Sequence, residues 1–332
     1  MKRIRLLLVH IDGWQRRSRP IGLAYAVIKK FGDDNANQFV VALGWYGFVA
    51  IYPLLLVVIT IFGFIGAASL GHQIVSTLHE FPVIGSQFNP ERSSKSLQGS
   101  GLGLAIGLIG LIYGAQGVTQ TIQQAMAGLW NVPQVERPGF APRLVRSLVA
   151  LGTIGVAFVL NAVAGTFVTD TSQGLGVRAP AFLGTLVLNA ALYFAVFRVA
   201  TPSRVATRDL VPGAGVASLG FTLLITIGAG LVQHQLRHSS AVYGQFGLVI
   251  GLVGFLFLLA KVSLYGAELN PVVSRHLWPR GLLESDPTEA DNQVLSDIAH
   301  QYRLREDQRI GVGFGEDAAD GAARDVRRQI QS

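Results

Sequence analysis

Six intervals of this chain carry no Asp, Glu, Lys or Arg: Asp34 to His72, Lys95 to Glu136, Arg146 to Asp170, Arg178 to Arg198, Asp209 to Arg237 and His238 to Lys261. A helix needs about 20 apolar residues to cross a bilayer. Only helices and closed barrels satisfy every backbone group in lipid, and runs this apolar lack the alternation of barrel strands. The pattern predicts an all-α polytopic membrane protein. Its six transmembrane helices are expected at about 39–67, 101–122, 147–168, 180–198, 213–233 and 245–269. Only 14% of residues are charged, against about 25% in a soluble domain.

Orientation follows from the Lys and Arg counts in the segments between spans. From N- to C-terminus these are 8, 2, 3, 1, 3, 1 and 8, an alternation that puts both termini in the cytoplasm. The net charge of +7 is therefore an orientation signal and an attraction to anionic headgroups at the cytoplasmic face, and no nucleic-acid partner is expected. Leu6 to Ile11 is too short an apolar stretch for a signal peptide, and Asp12 follows at once. The absence of Cys excludes disulfides and thiolate chemistry.

Three regions result. Residues 1–37 form a basic segment in which Ile21, Tyr25 and Ile28 share a helical face ending at Lys29 and Lys30. Residues 38–275 hold the six spans and an external loop, 69–100, with a short helix expected through Ile74, Val75, Leu78 and Phe81 before Pro82. Residues 276–332 form a polar, acidic tail. In the tail Asp286-Pro287 reads as a helix start, with Val294, Ile298 and Tyr302 on one face and a flexible glycine-bearing end.

Within the spans, Pro53 removes a backbone hydrogen bond and predicts a kink in the first. The second carries Gly103, Gly107, Gly110, Gly114 and Gly117 at alternating spacings of four and three, and the sixth carries Gly247, Gly251 and Gly254. Such stripes let helix backbones approach; pairing of two copies through one of them is the alternative. Extended, the first stripe reaches Thr121 and Gln124, with Gln120 beside it. The second reaches Leu258, Lys261, Tyr265 and Glu268. Lys261 and Glu268 are the only Lys and the only acid inside a predicted span, roughly 10 Å apart along the helix. An intramembrane charge of this kind is a functional candidate. Lys261 suits an anionic group and Glu268 a balancing charge or proton acceptor, while snorkelling to the headgroups is the structural reading. Lys261, Tyr265, Glu268, Gln120 and Gln124 are thus the candidate substrate or proton-relay residues. Asn161 and Asn189 suit interhelical hydrogen bonds.

No Walker loop, GxSxG elbow or HExxH helix occurs, and the carboxylates are not clustered as metal-ion hydrolysis requires. No catalytic residues, metal or cofactor are expected.

Several segments resemble the YihY/BrkB family, once labelled ribonuclease BN. They are Ala42-Leu43-Gly44-Trp45-Tyr46 through Tyr52-Pro53-Leu54-Leu55-Leu56, Thr201-Pro202-Ser203-Arg204 with Arg208-Asp209-Leu210-Val211-Pro212-Gly213-Ala214, and Tyr243-Gly244 with Leu264-Tyr265-Gly266-Ala267-Glu268-Leu269-Asn270. The YhjD-like branch is the most similar. The resemblance implies a six-helix bacterial inner-membrane protein and, for that branch, an association with envelope lipid export; it carries no established catalytic residues. The expected function is transporter-like, acting on an amphipathic or anionic envelope molecule. A non-transporting scaffold is the alternative, and a membrane ribonuclease is disfavoured.

Overall fold

The computed structural model describes residues 12–64, 101–169, 175–236, 244–283 and 286–314. Over these the protein is helical, with no strand among them. The elements are α1 (Arg19–Asp33), α2 (Asn37–Phe64), α3 (Gly101–Leu129), α4 (Phe140–Thr169), α5 (Leu175–Ala200), α6 (Val211–Leu236), α7 (Gly244–Ser274) and α8 (Glu289–Gln301). The expected helix in loop 69–100, Gly103 and Gly247, the side chain of Asn161 and the glycine-bearing end beyond residue 314 lie outside what can be described.

The chain divides into two compact units. One comprises residues 36–126 and 139–270, the other residues 1–35, 127–138 and 271–332.

The first unit is a bundle of long apolar helices. Among the described residues, three segments are long and apolar enough to cross a membrane: Phe182–Ala200, Thr207–Ile225 and Ile250–Ser274. Their apolar side chains point outward as well as inward. Val187 and Ile250 are each 68% exposed, and Leu183, Leu219 and Leu258 are also exposed. Large exposed apolar surface of this extent marks contact with something other than water, and for helices of this length that is lipid. Inside, α4 packs on α5 and α5 on α6. Gln123 on α3 donates to Ser147 on α4 at 2.9 Å. The hydroxyls of Tyr193 on α5 and Ser263 on α7 share a hydrogen bond of 2.8 Å. Asn189 on α5 donates to Thr222 on α6 at 3.3 Å, the interhelical role expected for it. Pro53 lies inside α2.

The second unit is built from three separate pieces of chain. Its helix ends have defined stops. After α3, the Asn131 amide donates to Gly128 and the Val132 amide to Ala127, both at 2.8 Å, with Asn131 at φ 48°. After α7, the same pattern joins His276 to Val273 and Leu277 to Val272, with His276 at φ 56°. Both are Schellman stops, a left-handed residue closing the last carbonyls of a helix. The helices therefore run past the predicted spans, to Leu129 rather than 122 and to Ser274 rather than 269. Hydropathy reads the apolar stretch, whereas the backbone stays helical until a capping geometry ends it.

Two sequence expectations change in this unit. The inward face of α1 is Gly22, Ala26, Val27, Lys30 and Phe31, and Ile28 is 57% exposed. The tail helix is capped by Thr288, not by Asp286: Thr288 accepts from the Asp291 amide while the Asp291 carboxylate accepts from the Thr288 amide, a capping box. Val294 is buried there, but Tyr302 is 60% exposed.

Candidate functional site

The first unit contains a pocket of about 260 Å³ between α2 and α3. Gln38, Tyr46, Gln120, Thr121 and Gln124 give it five polar side chains. Phe39, Ala42 and Gly117 complete the wall. The pocket exists because α2 and α3 approach closely along the glycine stripe. A Cβ at Gly114 would sit 2.7 Å from the Ala50 Cβ, and one at Gly110 would sit 2.8 Å from the Pro53 ring. At Gly117 the Tyr46 ring lies against the glycine. The pocket opens past that contact, where the spacing reaches Gln120, Thr121 and Gln124. Gln120 donates to Gln116 at 3.2 Å, and the Thr121 hydroxyl donates to the Gly117 carbonyl at 2.7 Å. Gln38 and Gln124 are exposed at the rim.

Lys261, Tyr265 and Glu268 do not line this pocket. Along α7 their shared face changes environment. Gly251, Gly254 and Leu258 are exposed, Lys261 and Tyr265 are half-buried, and Glu268 is fully buried. A Cβ at Gly254 would meet open space. The exposed part of the α7 stripe therefore does not serve close packing within the chain, unlike the α3 stripe, where Gly107 is also buried.

The close approach on α7 occurs lower down. The Asn270 side-chain oxygen accepts from the Gly213 amide at 2.7 Å. That amide belongs to the first turn of α6, whose donors have no partner within the helix. A Cβ on Gly213 would lie 2.2 Å from the Gly266 carbonyl oxygen, and one on Gly266 would lie 2.6 Å from the Ala217 Cβ. Two sequence motifs far apart in the chain thus form one backbone contact.

The second unit holds a buried charge network. Asp291 accepts from Lys29 at 2.8 Å, from Arg280, and from the amides of Gly281 and Thr288 at 2.8 Å. Arg280, whose side chain is 1% exposed, also meets Asp33 at 2.6 Å. Lys30 is fully buried, bonded to Asp34 and to the Leu129 carbonyl at 2.8 Å. Burial pushes the Asp291 carboxyl up, but these hydrogen bonds outweigh it and hold it well below the usual carboxylate range. Asp12 is treated alike: burial raises it, and the Leu282 amide, Gln15 and Arg16 bring it below its ordinary value. Burial raises Asp34 despite Lys30. Burial, then the charge of Asp291, raises Tyr25.

Extending a stripe in the sequence singled out Gln120 and Gln124, and both line this pocket. Sequence reasoning missed Gln38 and Phe39, whose signal was an amide-rich stretch, Asn35, Asn37 and Gln38, just ahead of an apolar run. It also missed the charge network, whose signal was Asp12, Asp33 and Asp34 inside an otherwise basic segment.

A family model described as virulence factor BrkB matches residues 27–289. The chain belongs to the BrkB/YihY family. Among the relatives of this BrkB-type chain, a UPF0761 membrane protein of Ralstonia nicotianae is 26% identical over 76% of the chain. The chain spans 59% of that relative's length. The inner membrane protein YhjD of Escherichia coli is 20% identical over 72% of the chain and 77% of its own length. A protein of Dickeya dadantii is 23% identical over 78% and 86%. No solved structure matches the chain. Both halves of the Gly213–Asn270 contact fall inside the residues matched by the BrkB family.

Proposed function

We propose that this BrkB-family membrane protein is a multi-pass bacterial inner-membrane protein with six spans and cytoplasmic termini, and that it moves an amphipathic envelope molecule. The reading is one of binding and translocation, without catalysis. The observation that carries it is the polar pocket of about 260 Å³ set among apolar helices. Three carboxamides converge there, Gln120 half-buried in the wall and Gln38 and Gln124 exposed at the rim, an arrangement that suits a polar ligand group. The relative named YhjD is an inner membrane protein, which supports the location. Exposed Arg17 and Arg19 on the N-terminal segment favour anionic headgroups at the cytoplasmic face.

The test is lipid movement in liposomes holding the purified full chain. Fluorescent phosphatidylglycerol, phosphatidylethanolamine and glucosyl-diacylglycerol are quenched from outside with dithionite. Protein-dependent access to the inner leaflet is expected for at least one probe, with loss in Gln120→Leu/Gln124→Leu. Rates unchanged in Lys261→Met and Glu268→Gln would remove those two residues from the path. If no probe moves, transport is wrong.

A scaffold is the second reading. It is favoured by the exposed Leu295, Tyr302 and Leu304 around and beyond α8. Under it, deletion of 281–332 abolishes the cellular phenotype while the glutamine pair can be changed freely.

A further inference from the structure

We infer that the pocket between α2 and α3 takes an uncharged, hydroxyl-rich group, such as a sugar or polyol. This rests on the proposed function and narrows its substrate. None of the residues lining the pocket is charged. A phosphate or carboxylate offers only acceptors, and out of water it demands Arg, Lys or several aligned N–H groups. A primary ammonium offers only donors and demands a carboxylate or a ring of acceptors. Hydroxyls both donate and accept. So do carboxamides taken as a whole, each with one acceptor oxygen and two N–H donors.

Three carboxamides line this pocket. Gln38 and Gln124 have no hydrogen bond to another described side chain or backbone group, and Gln120 spends one donor on Gln116. The aromatic side chains of Tyr46 and Phe39 also line the pocket and suit contact with the C–H groups of a sugar. The volume of about 260 Å³ is equivalent to roughly eight or nine waters at about 30 Å³ each. That suits one ring with its hydroxyls and is too small for acyl chains. The polar end of the ligand would therefore sit here while any lipid tail stays among the exposed apolar side chains outside.

The experiment is binding to the full chain in nanodiscs, followed by the thermal unfolding midpoint and by tyrosine fluorescence. The probes are dihexanoyl glucosyl-glycerol, methyl glucoside, dihexanoyl phosphatidylglycerol and dihexanoyl phosphatidylethanolamine. The glucosyl lipid is expected to raise the midpoint and to bind at least about tenfold more weakly to Gln120→Leu/Gln124→Leu, the loss of one to two net hydrogen bonds. Gln120→Asn/Gln124→Asn should retain part of the binding, which separates recognition from misfolding. Methyl glucoside binding as tightly as the lipid would identify the source as a free sugar. A midpoint raised equally by phosphatidylglycerol or phosphatidylethanolamine, or glucosyl binding unaffected by the double Leu change, overturns the inference. Binding without flux would instead leave the site intact and overturn transport.

Discussion

At the scale of single residues, Gly213 makes the closest approach to backbone among the described glycines, in its contact with Gly266 and Asn270. A methyl group at Gly213 would overlap a backbone carbonyl 2.2 Å away, and backbone cannot rotate aside as a side chain can. Gly213→Ala should cost about 1–3 kcal/mol, the usual range for overpacking. Asn270→Ala should cost about as much, because the Gly213 amide loses its acceptor in a buried place. Thermal unfolding in nanodiscs measures both, and midpoints equal to the unsubstituted protein would remove this contact as a structural determinant. The two motifs were readable in the sequence as separate words. That they touch was not, because a cap supplied from another helix leaves no local spacing to detect.

At the scale of elements, α8 depends on one carboxylate with two duties. Asp291 closes the capping box at the helix start and neutralises Lys29 and Arg280. Its folded pKa lies below the ordinary 3.8. Its contribution to stability is therefore complete above about pH 4 and is lost as pH falls through 3.8 toward the lower folded value. Proteolytic release of the tail, followed from about pH 6 to about pH 3, should rise over that window. In Asp291→Asn it should already be high at neutral pH. The substitution should cost about 3 kcal/mol, the lower part of the range for breaking a buried pair, since Asp33 still faces Arg280. A release profile identical in the two proteins would deny Asp291 this role. That α2 to α7 are helical was legible from apolar length, but their ends were not: α3 and α7 run on to Leu129 and Ser274, and α4 begins at Phe140. The faces of α1 and α8 were less legible. Lys30 reads as a solvated anchor, but Asp34 four residues on and a carbonyl from residue 129 make it a buried group. Only the folded chain supplies the second partner.

At the scale of the whole molecule, the charge alternation makes a strict topological statement. The native chain has no Cys, so single substitutions report accessibility without a background. Ser203→Cys, between α5 and α6, should resist an impermeant maleimide on intact cells and react in inverted vesicles. Ser94→Cys, in the loop expected outside, should do the reverse. Labelling of Ser203→Cys from outside would break the six-span topology.

The charge network also has a history in time. Lys29 and its partner Asp291 are 262 positions apart, and Asp33 and Arg280 are 247 apart. At about 5–20 residues per second of synthesis, Lys29 waits on the order of 13–50 s for its counter-charge. During that wait the N-terminal lysine is a free cation while the first spans are being inserted. When residues 280–291 arrive it becomes half of an ion pair. The lysine that is exposed in the growing chain is thus paired in the finished one, and a ribosome that stops before residue 280 leaves a chain without Arg280 and Asp291, whose second unit cannot form this network.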